Sequence, residues 1–272
     1  MNELMVIKIG GTDGVNFDFL CNEVAAMVKS SQPVVIVHGG SHDANLLGEA
    51  LGYPPKFLTS PDGFTSRYTD TKTLEIFSMA VNGKVNTFLV SKFQQAGVNA
   101  FGLSGLDGRL LAAQRKKAIQ SVENGKRKII RDDYSGKIEQ VNASILTWLL
   151  DNNMVPVIAP IAASELGEGL NVDADRVAAM VAVALKAQKL MLFTAVKGLY
   201  KNFPDEDSWI AKLKSSELDA ALQYAEGRMK KKVLSAKEAL DGGVQQVAIA
   251  DGRVENPISN ALAGHATWIG DV

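Results

Sequence analysis

The sequence predicts an α/β fold in which a mainly parallel sheet carries helices on both faces. Over most of the 272 residues, apolar runs rich in β-branched residues alternate with helical patterns, which is typical of parallel strands joined by helices. The composition, 46% hydrophobic and 22% charged, is that of a globular chain with a substantial core. One stretch, Arg109–Gln140, departs from the alternation.

The first half of the chain opens with two strand–helix units. The segments LMVIKI and PVVIV are short and almost wholly apolar, as expected for strands buried on both faces, and each is followed by a glycine turn. Helical patterns follow both turns. In chain order we predict strand Leu4–Ile9, helix Phe17–Lys29, strand Pro33–Val37, helix Asp43–Leu51, a loop around Pro54–Arg67, helix Thr71–Ala96 and strand Asn99–Leu103.

The stretch Arg109–Gln140 predicts short antiparallel strands, which we interpret as a β-hairpin excursion on the first half of the fold. Asn124-Gly125 is a strong hairpin signal because this pair accepts the backbone angles of a tight turn. Beyond a soft boundary near Asn152–Pro156 the alternation resumes. There we predict strand Met154–Ala159, helix Ala174–Lys186, strand Lys189–Thr194, helix Met229–Leu240, strand Gln246–Ala250 and an edge strand over His265–Ile269.

Charge and residue usage argue against several classes of protein. Lys+Arg 29 against Asp+Glu 30 gives a net charge of -1, which does not favour nucleic-acid binding. The single cysteine, Cys21, cannot form an intrachain disulfide, and the three histidines follow no zinc-binding pattern. No apolar run approaches the ~20 residues of a membrane span, and no signal-peptide layout is present. We therefore expect a cytoplasmic protein.

Two glycine pairs lie at the ends of the first two predicted strands. Lys8-Ile9-Gly10-Gly11 closes the first strand, and Val37-His38-Gly39-Gly40 closes the second. Glycines after a strand let backbone N–H groups approach phosphate oxygens, and a lysine adds positive charge. Each pair alone could be a simple turn. Together they indicate one anion-binding crevice at the carboxyl edge of the sheet, where ligands bind in open α/β folds.

A third motif, Asn171-Val172-Asp173-Ala174-Asp175, opens an apolar helix. A helix N-cap explains one of its polar side chains, but not three in five positions. We interpret Asn171 as a substrate-binding residue and Asp175 as a group that orients lysines.

Two more motifs lie in the last third of the chain. Met229-Lys230-Lys231-Lys232 places three lysines at a helix start, where they oppose the helix dipole. A nearby phosphate would justify at least one of them, and a solvated basic face is the alternative. The segment Thr194–Tyr200 is a strand end followed by a glycine turn with an aromatic residue. It suits a wall for a purine ring and ribose.

These motifs favour phosphoryl transfer to a carboxylate. No nucleophile elbow or Ser–His–Asp arrangement is present. Lysines, glycine turns and aspartate suit a reaction in which catalysis rests on positioning and charge neutralisation. A carboxylate acceptor has an ordinary pKa of about 4, so it is ionised at neutral pH and needs no general base.

In this order the five motifs resemble the amino-acid kinase family, and within it the N-acetylglutamate kinase branch. The resemblance runs from Val6 to Gly270 and is most specific in KIGG, VHGG, LNVDAD and MKKKV. It implies a single domain with a three-layer αβα sandwich, an acceptor-binding lobe over residues 1–153 and an ATP-binding lobe over residues 154–272. It also implies a homodimer, for which the apolar helix Thr73–Val81 could face either a partner or the core.

The resemblance also implies roles for individual residues. Lys8 and Lys232 would stabilise the transferring phosphoryl group, and Asp175 would keep both lysines in register. ATP would be the co-substrate, with Mg²⁺ bridging its phosphates. The remaining implied assignments are Gly39 and Gly40 for the reacting carboxylate, Arg67 and Asn171 for the rest of the acceptor, Gly10 and Gly11 for the ATP phosphates, and Thr194, Lys197, Gly198 and Tyr200 for the nucleotide. The branch more usually has LNVNADQ, so the role of Asp173 stays open.

A narrower resemblance concerns the amino-acid substrate. RYTD, GLSGLDGRLL, VENGK and ADGRVENPI resemble the LysW-dependent 2-aminoadipate kinases, in which the acceptor is attached to the small acidic carrier protein LysW. The related reaction on LysW-linked glutamate serves arginine or ornithine biosynthesis. A local excess of positive charge agrees with an acidic partner, although a solvated hairpin would explain it too. Its basic residues are Arg115, Lys116, Lys117, Lys126, Arg127, Lys128, Arg131 and Lys137, against Glu123, Asp132 and Asp133.

Two alternatives stay open at this point. A kinase for free N-acetylglutamate would use the same lysines without needing the basic hairpin. A non-catalytic regulatory protein that binds a nucleotide or an amino acid would keep the fold without turnover. The presence of Lys8, Lys232 and Asp175 together argues against the second alternative.

Overall fold

A computed structural model describes residues 3–11, 14–61, 63–123 and 126–270. The strands are β1 (Met5–Ile9), β2 (Val34–His38), β3 (Phe57–Thr59), β4 (Thr65–Arg67), β5 (Ala100–Gly105), β6 (Leu111–Arg115), β7 (Ile119–Glu123), β8 (Lys126–Ile130), β9 (Gly136–Val141), β10 (Val155–Ala163), β11 (Gly169–Asn171), β12 (Lys189–Thr194), β13 (Leu199–Tyr200), β14 (Trp209–Ile210), β15 (Lys212–Leu213), β16 (Gln246–Asp251) and β17 (Ala266–Ile269).

The α-helices are α1 (Phe17–Lys29), α2 (Ser41–Ala50), α3 (Thr71–Ser78), α4 (Thr87–Gln95), α5 (Ala143–Asp151), α6 (Ala174–Ala184), α7 (Leu218–Ala221), α8 (Gly227–Asp241) and α9 (Pro257–Leu262). Short 3₁₀ turns cover Asp107–Arg109, Glu206–Ser208 and Ser215–Glu217. A π-helical segment, Met79–Asn86, joins α3 to α4.

The central sheet has the order β15-β17-β16-β12-β1-β2-β10-β6-β9, and β5 and β11 also pair with β10. The neighbouring strands from β16 to β10 are all parallel. In this register Lys8 of β1 lies beside Val37 of β2 and Leu192 of β12. The carboxyl ends of these strands therefore meet at one edge, where their loops can share a ligand. The predicted mainly parallel sheet is confirmed.

Helices cover both faces of the sheet. Because successive strand side chains point to opposite faces, Val6 and Ile7 of β1 belong to different apolar clusters. The cluster around Val6 includes residues of α5, α6, α7 and α8. The cluster around Ile7 includes residues of α1, α4 and α9, among them the buried Cys21. This arrangement confirms the three-layer αβα fold.

The structure differs from the predicted elements in several places, and α7, α9, β11, β13, β14 and β15 were not predicted. The predicted helix over Thr71–Ala96 is interrupted by the π-helical segment, and α5 was not predicted at all. Strand β17 is not at the edge of the sheet, because the two-residue strand β15 pairs beyond it. The predicted loop around Pro54–Arg67 contains the hairpin β3–β4.

The predicted excursion over Arg109–Gln140 divides into two parts. Strands β6 and β9 pair antiparallel within the central sheet, whereas β7 and β8 form a separate hairpin. The turn pair Asn124-Gly125 lies outside the described residues. Of the helix proposed to face a partner or the core, Ile76, Phe77 and Val81 are buried. Among the described helices, none has both the length and the apolar content required to cross a bilayer.

Candidate active site

Lys8, Asp175 and Lys232 form a buried ion cluster. The Lys8 Nζ atom lies 2.8 Å from Oδ1 of Asp175, and Lys232 Nζ lies 2.9 Å from both carboxylate oxygens. All three residues are at most 7% exposed. They come from the end of β1, the first turn of α6 and the second turn of α8. The three residues predicted to act together are thus brought together.

The cluster perturbs the ionisation of its members. Burial opposes ionisation of Asp175, but the charges of Lys232 and Lys8 and their hydrogen bonds outweigh it and hold the pKa of Asp175 well below its ordinary value. Burial lowers the pKa of Lys232 to about 8, opposed by Asp175 and reinforced by Lys8. Two cations share one anion here, so the cluster keeps excess positive charge that can meet a phosphoryl group.

The two glycine turns pack backbone against backbone. A Cβ atom on Gly11 would lie 2.0 Å from the amide nitrogen of Gly40, and one on Gly39 would lie 2.7 Å from the nitrogen of Gly11. The Gly39 N–H donates to the carbonyl of Ile9 at 3.0 Å. No side chain larger than hydrogen fits at this contact. The turns after β1 and β2 therefore form one continuous backbone surface, as the sequence predicted.

A cleft of about 810 Å³ opens beside this surface, and its lining includes Gly39, Gly40, Arg67 and Asn171. Arg67 is 8% exposed and donates to the Ser41 carbonyl and to Asn45 Oδ1 at 2.6 Å. Burial lowers the pKa of Arg67, and nearby Arg228 lowers it further. These contacts fix the guanidinium in the wall of the cleft.

Asn171 occupies the end of β11, immediately before the first turn of α6. Its Nδ2 donates to the hydroxyl of Thr69 at 3.0 Å. Asp173 caps α6, accepting hydrogen bonds from the backbone N–H groups of Asp175 and Arg176. The extra charge at Asp173 therefore has a structural role as a helix N-cap.

The first two of the three consecutive lysines on α8 contact the hairpin β3–β4. Lys231 donates to the carbonyl oxygen of Thr65 at 2.9 Å. The Lys230 Nζ lies 5.0 Å from the centre of the Phe64 ring. Of these three lysines, Lys232 alone contacts Asp175. The motif therefore supplies a buried charge through Lys232 and contacts between α8 and the hairpin β3–β4 through the other two lysines.

The residues predicted to line a nucleotide site lie around the ends of β12 and β13. Thr194 is the last residue of β12, and its carbonyl accepts from Gly252 at 2.8 Å. The Lys197 Nζ lies 3.6 Å from the centre of the Trp209 ring. A Cβ on Gly198 would lie 2.3 Å from the hydroxyl oxygen of Thr267. These residues occupy the same carboxyl edge of the sheet as Gly10.

Tyr200 is packed more tightly into this region than the sequence suggested. It is 5% exposed, and its hydroxyl bonds to the carboxylate of Glu206. Burial and Glu206 raise the pKa of Tyr200 above its ordinary value. Its ring meets Phe203 edge-on, with the ring centres 5.6 Å apart.

One residue of the basic surface predicted around the hairpin does not contribute unpaired positive charge. Arg115 lies 3.5 Å over the Tyr134 ring and 3.3 Å from the carboxylate of Glu168, so its charge is already paired. The side chain of Lys126 lies outside the described residues. The members whose exposed side chains are described, which we term the basic surface, are Lys116, Lys117, Arg127, Lys128, Arg131 and Lys137.

Sequence reasoning missed two pairs of residues at this site. Arg176 forms a three-bond ion pair with Glu238 in the lining of the cleft. His38 and Asn86 contact each other behind the second glycine turn. His38 was visible in the VHGG motif, but nothing in the local sequence around Asn86 indicated its partner.

Comparisons with known proteins agree with this geometry. The family model described as "Amino acid kinase family" matches residues 3–251. The [LysW]-aminoadipate kinase of Deinococcus radiodurans is 48% identical over 98% of this chain and 91% of its own length. The enzyme of the same name from Thermus thermophilus is 46% identical over 98% of this chain and its whole length.

A solved structure shares the fold. The N-acetylglutamate synthase of Neisseria gonorrhoeae, complexed with coenzyme A and N-acetyl-glutamate, superposes with a TM-score of 0.80 at 24% identity. The match covers 99% of this chain and 60% of the synthase chain. At this identity the likeness shows the fold alone.

Proposed function

Because this chain belongs to the amino acid kinase family, we propose that it phosphorylates the side-chain carboxylate of 2-aminoadipate attached to LysW. ATP is the co-substrate and lysine biosynthesis is the pathway. The observation that carries the proposal is the buried cluster of Lys8, Asp175 and Lys232 beside two interlocked glycine turns. Relatives with 46% and 48% identity bear the name of this activity.

In the proposed reaction a carboxylate oxygen of the acceptor attacks the γ-phosphorus of ATP. The bond between that phosphorus and the β–γ bridging oxygen breaks, ADP leaves, and the product is an acyl phosphate. Lys8 and Lys232 contact the transferring group, and Asp175 orients both ammonium groups. Because the nucleophile is already ionised, no residue has to remove a proton.

The acceptor and the nucleotide would occupy adjoining parts of the same sheet edge. The backbone N–H of Gly40 holds the reacting carboxylate, whereas the N–H of Gly39, also assigned to it from the sequence, already donates to the Ile9 carbonyl. Arg67 and Asn171 bind the rest of the amino acid in the cleft. Gly10 and Gly11 approach the phosphates. Thr194, Lys197, Gly198 and Tyr200 lie at the nucleotide wall, although Tyr200 contributes a largely covered ring.

Mg²⁺ would enter with ATP, bound through the phosphate oxygens. Within the described part of the chain, no three carboxylate, imidazole or thiolate groups lie close enough to hold a metal. Mg²⁺ in kinase sites is held largely by substrate phosphates and water, so this donor set fits the ion. When bound, Mg²⁺ neutralises charge on the β- and γ-phosphates.

The basic surface supports LysW as the bearer of the substrate. An acidic carrier is attracted to clustered lysines and arginines, which raises its rate of encounter. Arg127 and Lys128 lie on β8, and Lys137 lies on β9. Lys116, Lys117 and Arg131 flank the hairpin β7–β8, and Lys116 also lines the cleft. A carrier bound there would have its attached amino acid close to the entrance of the pocket.

The boundaries of the two lobes, the cellular location and the oligomeric state complete the proposal. Residues 1–153 form the acceptor lobe and residues 154–272 the ATP lobe, although β10 of the second lobe lies next to β2 of the first. The protein works in the cytoplasm, where ATP and biosynthetic intermediates are available. It forms a homodimer. The helix Thr73–Val81 packs Phe77 and Val81 into the core and leaves Met79 43% exposed on its other face.

The proposed function is tested by ATP turnover with hydroxylamine as a trap for acyl phosphate. LysW-linked aminoadipate, LysW-linked glutamate and free N-acetylglutamate would be compared at equal concentrations. Turnover with LysW-linked aminoadipate at a higher kcat/KM than with the other two is expected. Turnover with N-acetylglutamate alone would contradict the proposal. A methylene separates aminoadipate from glutamate and is worth only about 1–3 kcal/mol, so slower reaction of LysW-linked glutamate is also expected.

A further inference from the structure

A buried histidine contacts the backbone of the second glycine turn. His38 is 0% exposed, and its Nδ1 atom lies 2.6 Å from the carbonyl oxygen of Gly39. Its Nε2 atom lies 3.0 Å from Nδ2 of Asn86, which is itself 7% exposed. Neither His38 nor Asn86 touches the ion cluster of Lys8, Asp175 and Lys232. The contact that joins this pair to the site is therefore the one between His38 and the backbone of Gly39.

The contacts of Asn86 fix the tautomer of the imidazole. Asn86 Nδ2 also donates to the carbonyl oxygen of Val157 at 2.8 Å, so this atom must be the amide nitrogen. An amide nitrogen only donates, and His38 Nε2 must therefore accept. The proton then resides on Nδ1, which donates to Gly39. Burial lowers the pKa of His38 to about 4, against the opposing effect of the Gly39 hydrogen bond, so the ring is neutral at neutral pH.

The hydrogen bond to Gly39 sets the direction of the next N–H group. In a trans peptide the C=O of one residue and the N–H of the next point in opposite directions. With the Gly39 carbonyl held toward His38, the N–H of Gly40 points away from the imidazole, and Gly40 itself lines the cleft assigned to the acceptor. The nitrogen of Gly40 lies against the turn after β1, where a Cβ built on Gly11 would come within 2.0 Å of it. Within the described residues no partner is recorded for this N–H group.

The π-helical segment brings Asn86 to this position. It also packs Val81 and Val85 against the same turn, since a Cβ on Gly40 would lie 2.7 Å from Val81 Cγ1 and 3.5 Å from Val85 Cγ2. π-helical turns are uncommon and occur frequently at functional sites. Here the segment supports the glycine turn from behind with two apolar contacts and one polar contact.

We propose that His38, held in its Nδ1–H tautomer by Asn86, is a positioning residue that directs the Gly40 N–H toward the acceptor carboxylate. The inference rests on the proposed function, because it assumes that this N–H group binds the reacting carboxylate. A displacement of about 1 Å of a reacting group can cost about 10²-fold in rate. Loss of the support for this N–H group should therefore cost about 10–100-fold.

The test compares His38→Leu with His38→Asn. Leucine keeps an apolar side chain without a donor, whereas asparagine can place its amide nitrogen near the position of Nδ1 and donate to Gly39. We expect His38→Leu to lower kcat/KM for the LysW-linked acceptor about 10–100-fold, with the KM for ATP changed less than about threefold. His38→Asn should recover most of that loss. His265→Leu, at an exposed position, is the matched control.

Two kinetic results would overturn the inference. One is unchanged acceptor kinetics in His38→Leu, and the other is an equal loss in both His38 variants, which would indicate packing rather than hydrogen bonding. Nitrogen-15 NMR of the wild-type protein measures the tautomer of His38 directly, and this test does not depend on the folding of a variant. An Nδ1–H, Nε2-acceptor imidazole is expected, and the opposite tautomer would overturn the inference. Lack of wild-type turnover with any acceptor would instead contradict the proposed function and leave the tautomer result to stand separately.

Discussion

Lys8 and Asp175 are joined by a 2.8 Å ion pair, although they come from the first strand and from a helix in the second half of the chain. The pair connects the turn after β1 with the start of α6. Because both residues are buried, the contact is shielded from salt and holds its geometry more firmly than a surface pair. The charges of the active site are therefore positioned before any substrate arrives.

Removing either lysine should lower turnover without unfolding the protein. We expect Lys8→Ala and Lys232→Ala each to reduce kcat by at least ~10²-fold, because in the proposed reaction each lysine stabilises the transferring phosphoryl group. Steady-state kinetics with the LysW-linked acceptor measures the effect, and circular dichroism checks the fold. Lys212→Ala, at an exposed position on β15, should behave as wild type. Near-normal kcat in either active-site variant would remove that lysine from the catalytic set.

The rate should depend on the charge of Lys232. Burial lowers the pKa of Lys232 to about 8, so the ammonium is charged below that pH and loses its charge above it. We expect kcat/KM for ATP to be flat below pH 8 and to fall with increasing pH beyond it. In Lys232→Arg the remaining activity should lack this decline, since a guanidinium stays charged. A wild-type profile that is flat up to pH 10 would contradict the assignment.

Asp175→Asn should destabilise the free protein more than the ATP complex. The substitution leaves two buried ammonium groups without their shared carboxylate, and breaking a buried ion pair in this way costs about 3–5 kcal/mol. Bound nucleotide supplies phosphate charge in the same place, so the loss of Tm should shrink when MgATP is present. Differential scanning fluorimetry with and without MgATP measures both values. An equal decrease in Tm with and without MgATP would contradict the placement of Asp175 at the nucleotide site.

Neutralising the basic surface should affect the carrier-bound acceptor selectively. We expect the triple variant Lys117→Gln, Arg127→Gln, Arg131→Gln to raise KM for LysW-linked aminoadipate about tenfold, because electrostatic attraction of an acidic partner is lost. The KM for ATP should stay unchanged, and the salt dependence of kcat/KM should weaken. Lys29→Gln with Lys212→Gln, which removes charge from exposed positions elsewhere, is the control. An equal change in the KM for LysW-linked aminoadipate in the two variants would contradict binding of LysW to the basic surface.

Local patterns predicted the fold and marked Lys8, Asp175 and Lys232 as candidates, whereas the joint role of the three residues was implied by the family resemblance. Apolar runs with glycine turns mark β1 and β2, and the motifs at Lys8, Asp175 and Lys232 each carry a charge that the local element does not need. The first two turns of α8 in particular hold three consecutive lysines against the helix dipole. Candidate residues of this kind can be recognised from their local sequence.

Contacts between distant segments were beyond local patterns. His38 and Asn86 are 48 residues apart, and their contact depends on a π-helical segment that ordinary helical periodicity does not reveal. From the sequence we assigned Arg115 to the basic surface, whereas in the structure it pairs with Glu168, 53 residues away. Helix α5 has only nine residues and lacks a side-chain N-cap, so it offered few of the usual signals.

The bridge between Lys231 and the Thr65 carbonyl has a consequence for substrate cooperativity. Lys231 adjoins Lys232 on α8, whereas Thr65 belongs to the hairpin that carries Arg67. An acceptor that immobilises the hairpin would therefore also restrain the helix that carries Lys232. Thermodynamic linkage is reciprocal, so bound ATP must increase the affinity for the acceptor by the same factor by which bound acceptor increases the affinity for ATP. The two substrates of this enzyme are thus expected to bind synergistically, each lowering the dissociation constant of the other.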